Sequence, residues 1–266
     1  MRISSKLQHQ ILLLALVLLL IYHTVSGSKM HHIMPIVQCS MGESCLTLSM
    51  LAANTSNYLD SNTTLIFLEG NHTLDSELFI SNTELLRLST KHSATTSVTC
   101  SGNASLNFSN IRQLQISGLK FIGCSSSVDF VDYFTLEDSS FHGRNGDGSA
   151  LKLAQTNTNV VRSSFTSNTV GTYQSYVRIL ENLRFYDPYR QLSIQSYSAR
   201  VGGALLVASS NLVISSSHFD SNTAELGGAI FSELGSNITT TNCIFCLLYT
   251  SPSPRDATLS RMPSSA

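Results

Sequence analysis

Charge is scarce in this chain: Asp, Glu, Lys and Arg make up 12% of it, about half the ~25% usual in globular proteins. Between residues 28 and 245 there are 12 basic and 16 acidic side chains, a net charge of −4. A nucleic-acid surface needs clustered Lys and Arg to displace counterions, so no nucleic-acid partner is expected. The five cysteines of that span, Cys39, Cys45, Cys100, Cys124 and Cys243, contain no CxxC pair, which removes the usual zinc knuckle. Long apolar runs are lacking too. The longest is Ile11–Ile21, and no other run approaches the length needed to cross a bilayer. Ser, Thr and Asn take the place of the missing charges, as suits an extended β surface kept soluble by hydroxyls and amides.

The one apolar run belongs to residues 1–27, which have the layout of a secretory signal. Arg2 and Lys6 supply the positive start, and Val25-Ser26-Gly27 a small-residue cleavage site. A retained signal anchor is the alternative, but eleven apolar residues reach only about 16 Å at ~1.5 Å each. Six NxS/T sequons, at Asn54, Asn62, Asn71, Asn103, Asn107 and Asn237, then become expected glycosylation sites of a secreted protein or of the extracellular face of a cell. An oxidising compartment favours disulfides. Cys39 with Cys45 and Cys100 with Cys124 are the expected pairs, leaving Cys243 over; the alternative is that Cys100, Cys124 and Cys243 pack as reduced core residues.

The other end departs from this pattern. Residues 246–266 hold Pro252, Pro254 and Pro263 out of five prolines in all, and share no repeat with what precedes them. Back-translated, Cys246–Asp256 can be spelled as the transposase adapter of sequencing libraries. The segment is therefore expected to be an adapter-derived artefact, with the native fold truncated at its C-terminus.

Between these ends the chain repeats itself. Apolar-x-apolar-x-x-small-x-Phe recurs at Leu114/Ile116/Leu119/Phe121, at Phe134/Leu136/Ser139/Phe141, at Leu212/Ile214/Ser217/Phe219 and at Ile238/Thr240/Cys243/Phe245. Val160 with Phe165 and Leu183 with Phe185 are weaker copies. A spacing of two inside each copy means strand, and the break before the small residue means a turn. The period of roughly 20–30 residues is that of one solenoid coil, with each Phe stacked on the last. A second motif runs in phase: Gly202-Gly203-Ala204-Leu205 and Gly227-Gly228-Ala229-Ile230, with Gly148-Ser149-Ala150-Leu151 a worn copy. Glycines there suit sharp corners and close approach of coils. Asn168 and Asn222, each three residues after a Phe, are placed to bond turn backbone and to stack as an amide ladder.

FxxN followed by GGA[IL] resembles the repeat of bacterial polymorphic outer-membrane proteins. The chain as a whole resembles the secreted right-handed parallel β-helix, pectin-lyase-like proteins of simple marine animals, and Cys45–Leu74 is similar to their start. The likeness covers about residues 36–245, with the full motif only at Phe219–Ile230. It implies an all-β, right-handed parallel β-helix over 61–245, preceded by an N-terminal segment over 28–60. There Leu48, Leu51, Ala52 and Leu59 share one face of a short helix expected to cap the solenoid.

Pectin-lyase-like folds host polysaccharide lyases and hydrolases, which need convergent carboxylates. Asp129, Asp132, Glu137 and Asp138 are the densest acid group, but Glu137 and Asp138 are strand neighbours and should point apart. Arg144–Gly148 lacks the acids of a calcium loop and reads as a glycine-rich turn. His31-His32 has no third ligand. Tyr186, Tyr189 and Tyr197, beside Pro188 in an expected loop, are either sugar-stacking residues or ordinary loop aromatics. The expected function is a non-enzymatic extracellular recognition or adhesion module without a cofactor, with glycans or cell-surface proteins as partners. Membrane attachment would come only from a missing C-terminal segment. A carbohydrate-active β-helix enzyme is the alternative.

Overall fold

A computed structural model describes residues 29–34, 46–90, 95–146, 148–170 and 201–248. It is an all-β parallel solenoid, in which every named strand pair is parallel and each coil hydrogen-bonds to the next. Three faces close each coil. The first runs from Lys29–Ile33 through Asn62–Phe67, Leu85–Thr90, Asn157–Val161 and Asn211–Ser215 to Asn237–Thr241. A second face stacks Gly70–Leu74, Thr96–Cys100, Lys120–Ile122, Ser140–His142, Ser164–Thr166, His218–Asp220 and Ile244–Cys246. The third carries Leu78–Ser81, Leu151–Ala154, Leu205–Ala208 and Ile230–Glu233. Two long strands, Ser105–Ser117 and Ser125–Glu137, bend from the third face into the first.

Period-two alternation fills the interior. Asn62–Phe67 alternates half-buried and buried along its length, as a strand with one face in a core must. Phe121, Phe141, Phe165, Phe219 and Phe245 occupy one register position. Their rings stack with centroids 4.6, 5.4, 5.0 and 4.9 Å apart, the spacing that neighbouring strands impose. Burying each ring is worth about 2–3 kcal/mol. Val98 and His72 head the same column. Phe165 pairs directly with Phe219; the Leu183/Phe185 copy lies outside the described residues.

Each corner begins with a residue in the left-handed region. Asp138, Arg162, Ser216 and Asn242 form one column, with Gly118; Ser167 and Ser221 a second, with Gly123 and Gly143; Asn82, Asn110, Phe130, Gln155, Ser209 and Leu234 a third. After the first corner comes a buried hydroxyl column. The Ser139, Ser163 and Ser217 hydroxyls accept from the backbone N–H of Leu119, Ser139 and Ser163 on the preceding coils. After the second comes an amide pair: Asn222 accepts from Asn168 Nδ2 and N–H, and donates to Phe165 O at 2.8 Å. Asn168 donates likewise to Phe141 O at 3.2 Å, and both side chains are fully buried. Gly202 and Gly227 take φ +64°, and a Cβ at Gly203 would lie 2.1 Å from Gly228 O, so coils meet there at backbone distance.

Two short helices close the first coil. The first, α1 (Leu48–Ala53), is capped by Thr47, whose hydroxyl accepts from Met50 N–H. The second, α2 (Thr55–Tyr58), follows immediately. Leu48 and Leu51 are buried on the core, with Ala52, Tyr58 and Leu59 packed beside them. The expected face is there, but Asn54, at φ −153°, breaks it into two pieces. Lys29–Ile33 precedes the helices and already pairs with Asn62–Phe67. The ladder thus begins ahead of residue 61, and His31 faces Tyr58 edge-on.

Candidate binding cleft

Along the third corner an open cleft of about 570 Å³ runs across successive coils, within the size range of ligand sites. It is lined by Ser61, Asn82, Thr83, Glu84, Asn110, Ile111, Arg112, Phe130 and Asp132. The sequence builds it by a slip in alternation. Phe108 and Val128 are buried, and the next buried residues are Ile111 and Val131, three positions on rather than two. The extra residue, Asn110 or Phe130, turns outward in the left-handed region at φ 51° and 56°. Asn tolerates that conformation, but a ring does not do so readily, and holding Phe130 there costs about 1–3 kcal/mol. Phe130 is nevertheless 40% exposed, and Tyr133, which follows the lining residue Asp132, is 60% exposed.

Charge in the cleft is mixed. Arg112 is bonded to Glu84, and its pKa is raised first by that hydrogen bond and then by the Glu84 charge, with Asp132 and Tyr133 adding smaller effects. Thr83 is buried, and its Oγ1 has no hydrogen-bond partner. Orphaned hydroxyls are uncommon where water is excluded. Outside the cleft, Arg87 Nε donates to Gln115 at 2.8 Å on the same sheet face.

The acid group read from the sequence comes apart. Asp132 alone enters the cleft. Glu137 and Asp138, expected to point apart, instead meet on Arg162, because Asp138 is a left-handed corner residue rather than the next strand position; Asp138 accepts from Nε and Nη2 at 2.8 and 2.9 Å, and the guanidinium keeps its carboxyl below its ordinary pKa. Asp129 sits inside the third face. Burial pushes its carboxyl up, against the opposing pull of Lys152 and the Ser127 hydroxyl. Among the described residues no group of three or more His, Cys, Asp or Glu is placed to hold a metal.

Cys100 and Cys124 are joined by a disulfide linking adjacent coils. Cys243 and Cys246 are free, Cys243 standing in the hydroxyl column with its thiol toward Thr241 O and Ile214 O. The Cys39–Cys45 pair, the signal-like segment, Asp147, Tyr186, Pro188, Tyr189, Tyr197 and residues 249–266 lie outside the described residues. Of the sequons, Asn54, Asn71, Asn103 and Asn237 are exposed and Asn62 and Asn107 half-buried. Asn107 is the most engaged, its Nδ2 donating to Glu77 and Ser105 and its Oδ1 accepting from Ser127.

No described helix is long and apolar enough to cross a membrane, and the disulfide fits a non-reducing compartment. Of the cleft, sequence reasoning singled out only Asp132. The slip from two to three between buried residues was the signal for the rest. No family model matches the chain, and no curated protein matches it.

Proposed function

We propose that this chain is a secreted, glycosylated recognition module that binds a ligand at the third-corner cleft without transforming it. The observation that carries the reading is a surface cleft with a strained, exposed Phe130 and an exposed Tyr133, beside acids that do not converge. Glycoside cleavage needs a proton donor and a second carboxylate flanking one bond. Here Asp129 is withdrawn into a face, Glu137 and Asp138 are spent on Arg162, and Glu84 is bonded to Arg112. The signal-like start, the six sequons and the likeness to secreted β-helix proteins support an extracellular setting, with glycans or cell-surface proteins as partners.

The test is to present the purified chain to arrays of glycans and of cell-surface proteins, and in parallel to assay polysaccharides for new reducing ends and unsaturated products. Binding without product is expected. Turnover that disappears in Asp132→Asn or Asp138→Ala would replace this reading with the enzymatic one.

A further inference from the structure

A recognition cleft of this shape and lining favours one kind of ligand over others. We infer that the cleft binds a neutral saccharide, one sugar ring lying against Phe130 and Tyr133 while its hydroxyls meet Thr83, Asn110 and the Glu84–Arg112 pair. This rests on the recognition reading and narrows it to one class of ligand.

Three observations converge. At this corner the coils on either side of Phe130 place Asn110 and Gln155, both polar, so nothing in the turn calls for an aromatic ring. Its exposed face, with Tyr133 one residue past Asp132, presents a π surface of the kind on which the weakly positive C–H groups of a sugar ring can rest. Leu234 holds the same corner in a later coil, but the cleft does not extend to it. Second, the Thr83 hydroxyl is buried in the cleft wall and unpartnered, a group that a ligand hydroxyl can satisfy. Third, the lining offers donors and acceptors together: amides at Asn82 and Asn110, a guanidinium at Arg112, carboxylates at Glu84 and Asp132. A sugar hydroxyl both donates and accepts and can use both kinds. A uronate, sulfate or phosphate only accepts, and would meet two carboxylates against one guanidinium that is already paired.

The test uses the purified full chain with its own N-glycans enzymatically trimmed, titrated with neutral oligosaccharides (glucose-, mannose-, galactose- and xylose-based) and with uronic, sialylated and sulfated ones. Ligand-observed NMR reports ring proximity and calorimetry reports affinity. At least one neutral class should bind. Phe130→Asn should weaken it by roughly tenfold or more, the effect of removing one good stacking or hydrogen-bonding interaction, while melting no lower than the parent, because Asn accepts the left-handed corner. Tyr133→Ala and Thr83→Val should weaken it without loss of fold. Preference for acidic sugars, no saccharide binding at all, or neutral binding untouched by Phe130→Asn would each overturn the inference. A protein ligand whose binding disappears in Phe130→Asn would overturn it and leave the recognition reading standing; product formation would overturn that reading instead.

Discussion

Asn222 shows how much one side chain can hold in this architecture. Its amide satisfies the Phe165 carbonyl and receives the Asn168 N–H, both out of reach of water. Asn222→Leu keeps the branched outline but strands two backbone groups, so it should cost about 2–6 kcal/mol, at about 1–3 kcal/mol for each buried group left unpaired, measured by urea denaturation. Phe141→Ala, between two stacked neighbours, should cost about 3–5 kcal/mol in the same experiment. These positions could be read from the sequence because Phe and Asn recur in phase. His72 could not, since it holds the same column with a different residue. Its ring is buried, Nε2 lies 2.8 Å from Leu68 O, and Nδ1 has no partner. Burial holds its pKa below 6.5, against the backbone contacts at Leu68 and Met34. On acidification the unfolded chain takes up the proton first, so the stability from this group is complete well above 6.5 and is lost as pH falls through that value toward the lower folded one. Thermal melts at stepped pH should show that loss, and His72→Phe should remove it.

At the scale of elements, the disulfide and the cap do separate jobs. Cys100–Cys124 spans a sequence separation of 24, and replacing both by Ser should lower stability by about 3 kcal/mol, as expected from releasing a loop of this length, seen as a fall in denaturation midpoint. Leu51 is fully buried in α1 against the first coil. Leu51→Ala should cost about 2–5 kcal/mol and loosen the N-terminal coils first, as proteolysis of Asn62–Leu74 would report. The helical face was legible from Leu48, Leu51, Ala52 and Leu59. Its division was not, because whether Asn54 continues a helix or ends one depends on the coil beneath it. The cleft was hidden for a similar reason: along its corner Asn110, Phe130, Gln155 and Ser209 share a backbone conformation but no residue type. The acids Asp129, Asp132, Glu137 and Asp138 formed a group along the chain, yet the fold sent Asp129 and Asp132 to separate surroundings and joined Glu137 and Asp138 on Arg162.

Over the whole molecule, stability should follow the stacking, since each coil touches only its neighbours. Phe121 and Phe141 have stacked rings on at least one side and buried strands around them, whereas Phe245 is 41% exposed and Ile244 58%. Amide hydrogen exchange should therefore be slowest in Ser105–Ser117 and Ser125–Glu137 and fastest in Asn237–Thr241 and Ile244–Cys246. Uniform protection across all coils would contradict this picture.

The second corner is the elastic one. Each Phe follows its partner on the first face by five residues, as in Ile116 to Phe121, Leu136 to Phe141 and Val160 to Phe165. The step from Phe to the same register position on the third face is five residues at Phe121 to Ser126, ten at Phe141 to Leu151 and forty at Phe165 to Leu205. Extra length is accepted there with the register kept, as it is to a smaller extent between the first and second faces, where Leu88 to Val98 spans ten residues and Ile116 to Phe121 five; the second corner is thus a natural port for grafting foreign peptides, each at a height chosen by the coil that carries it.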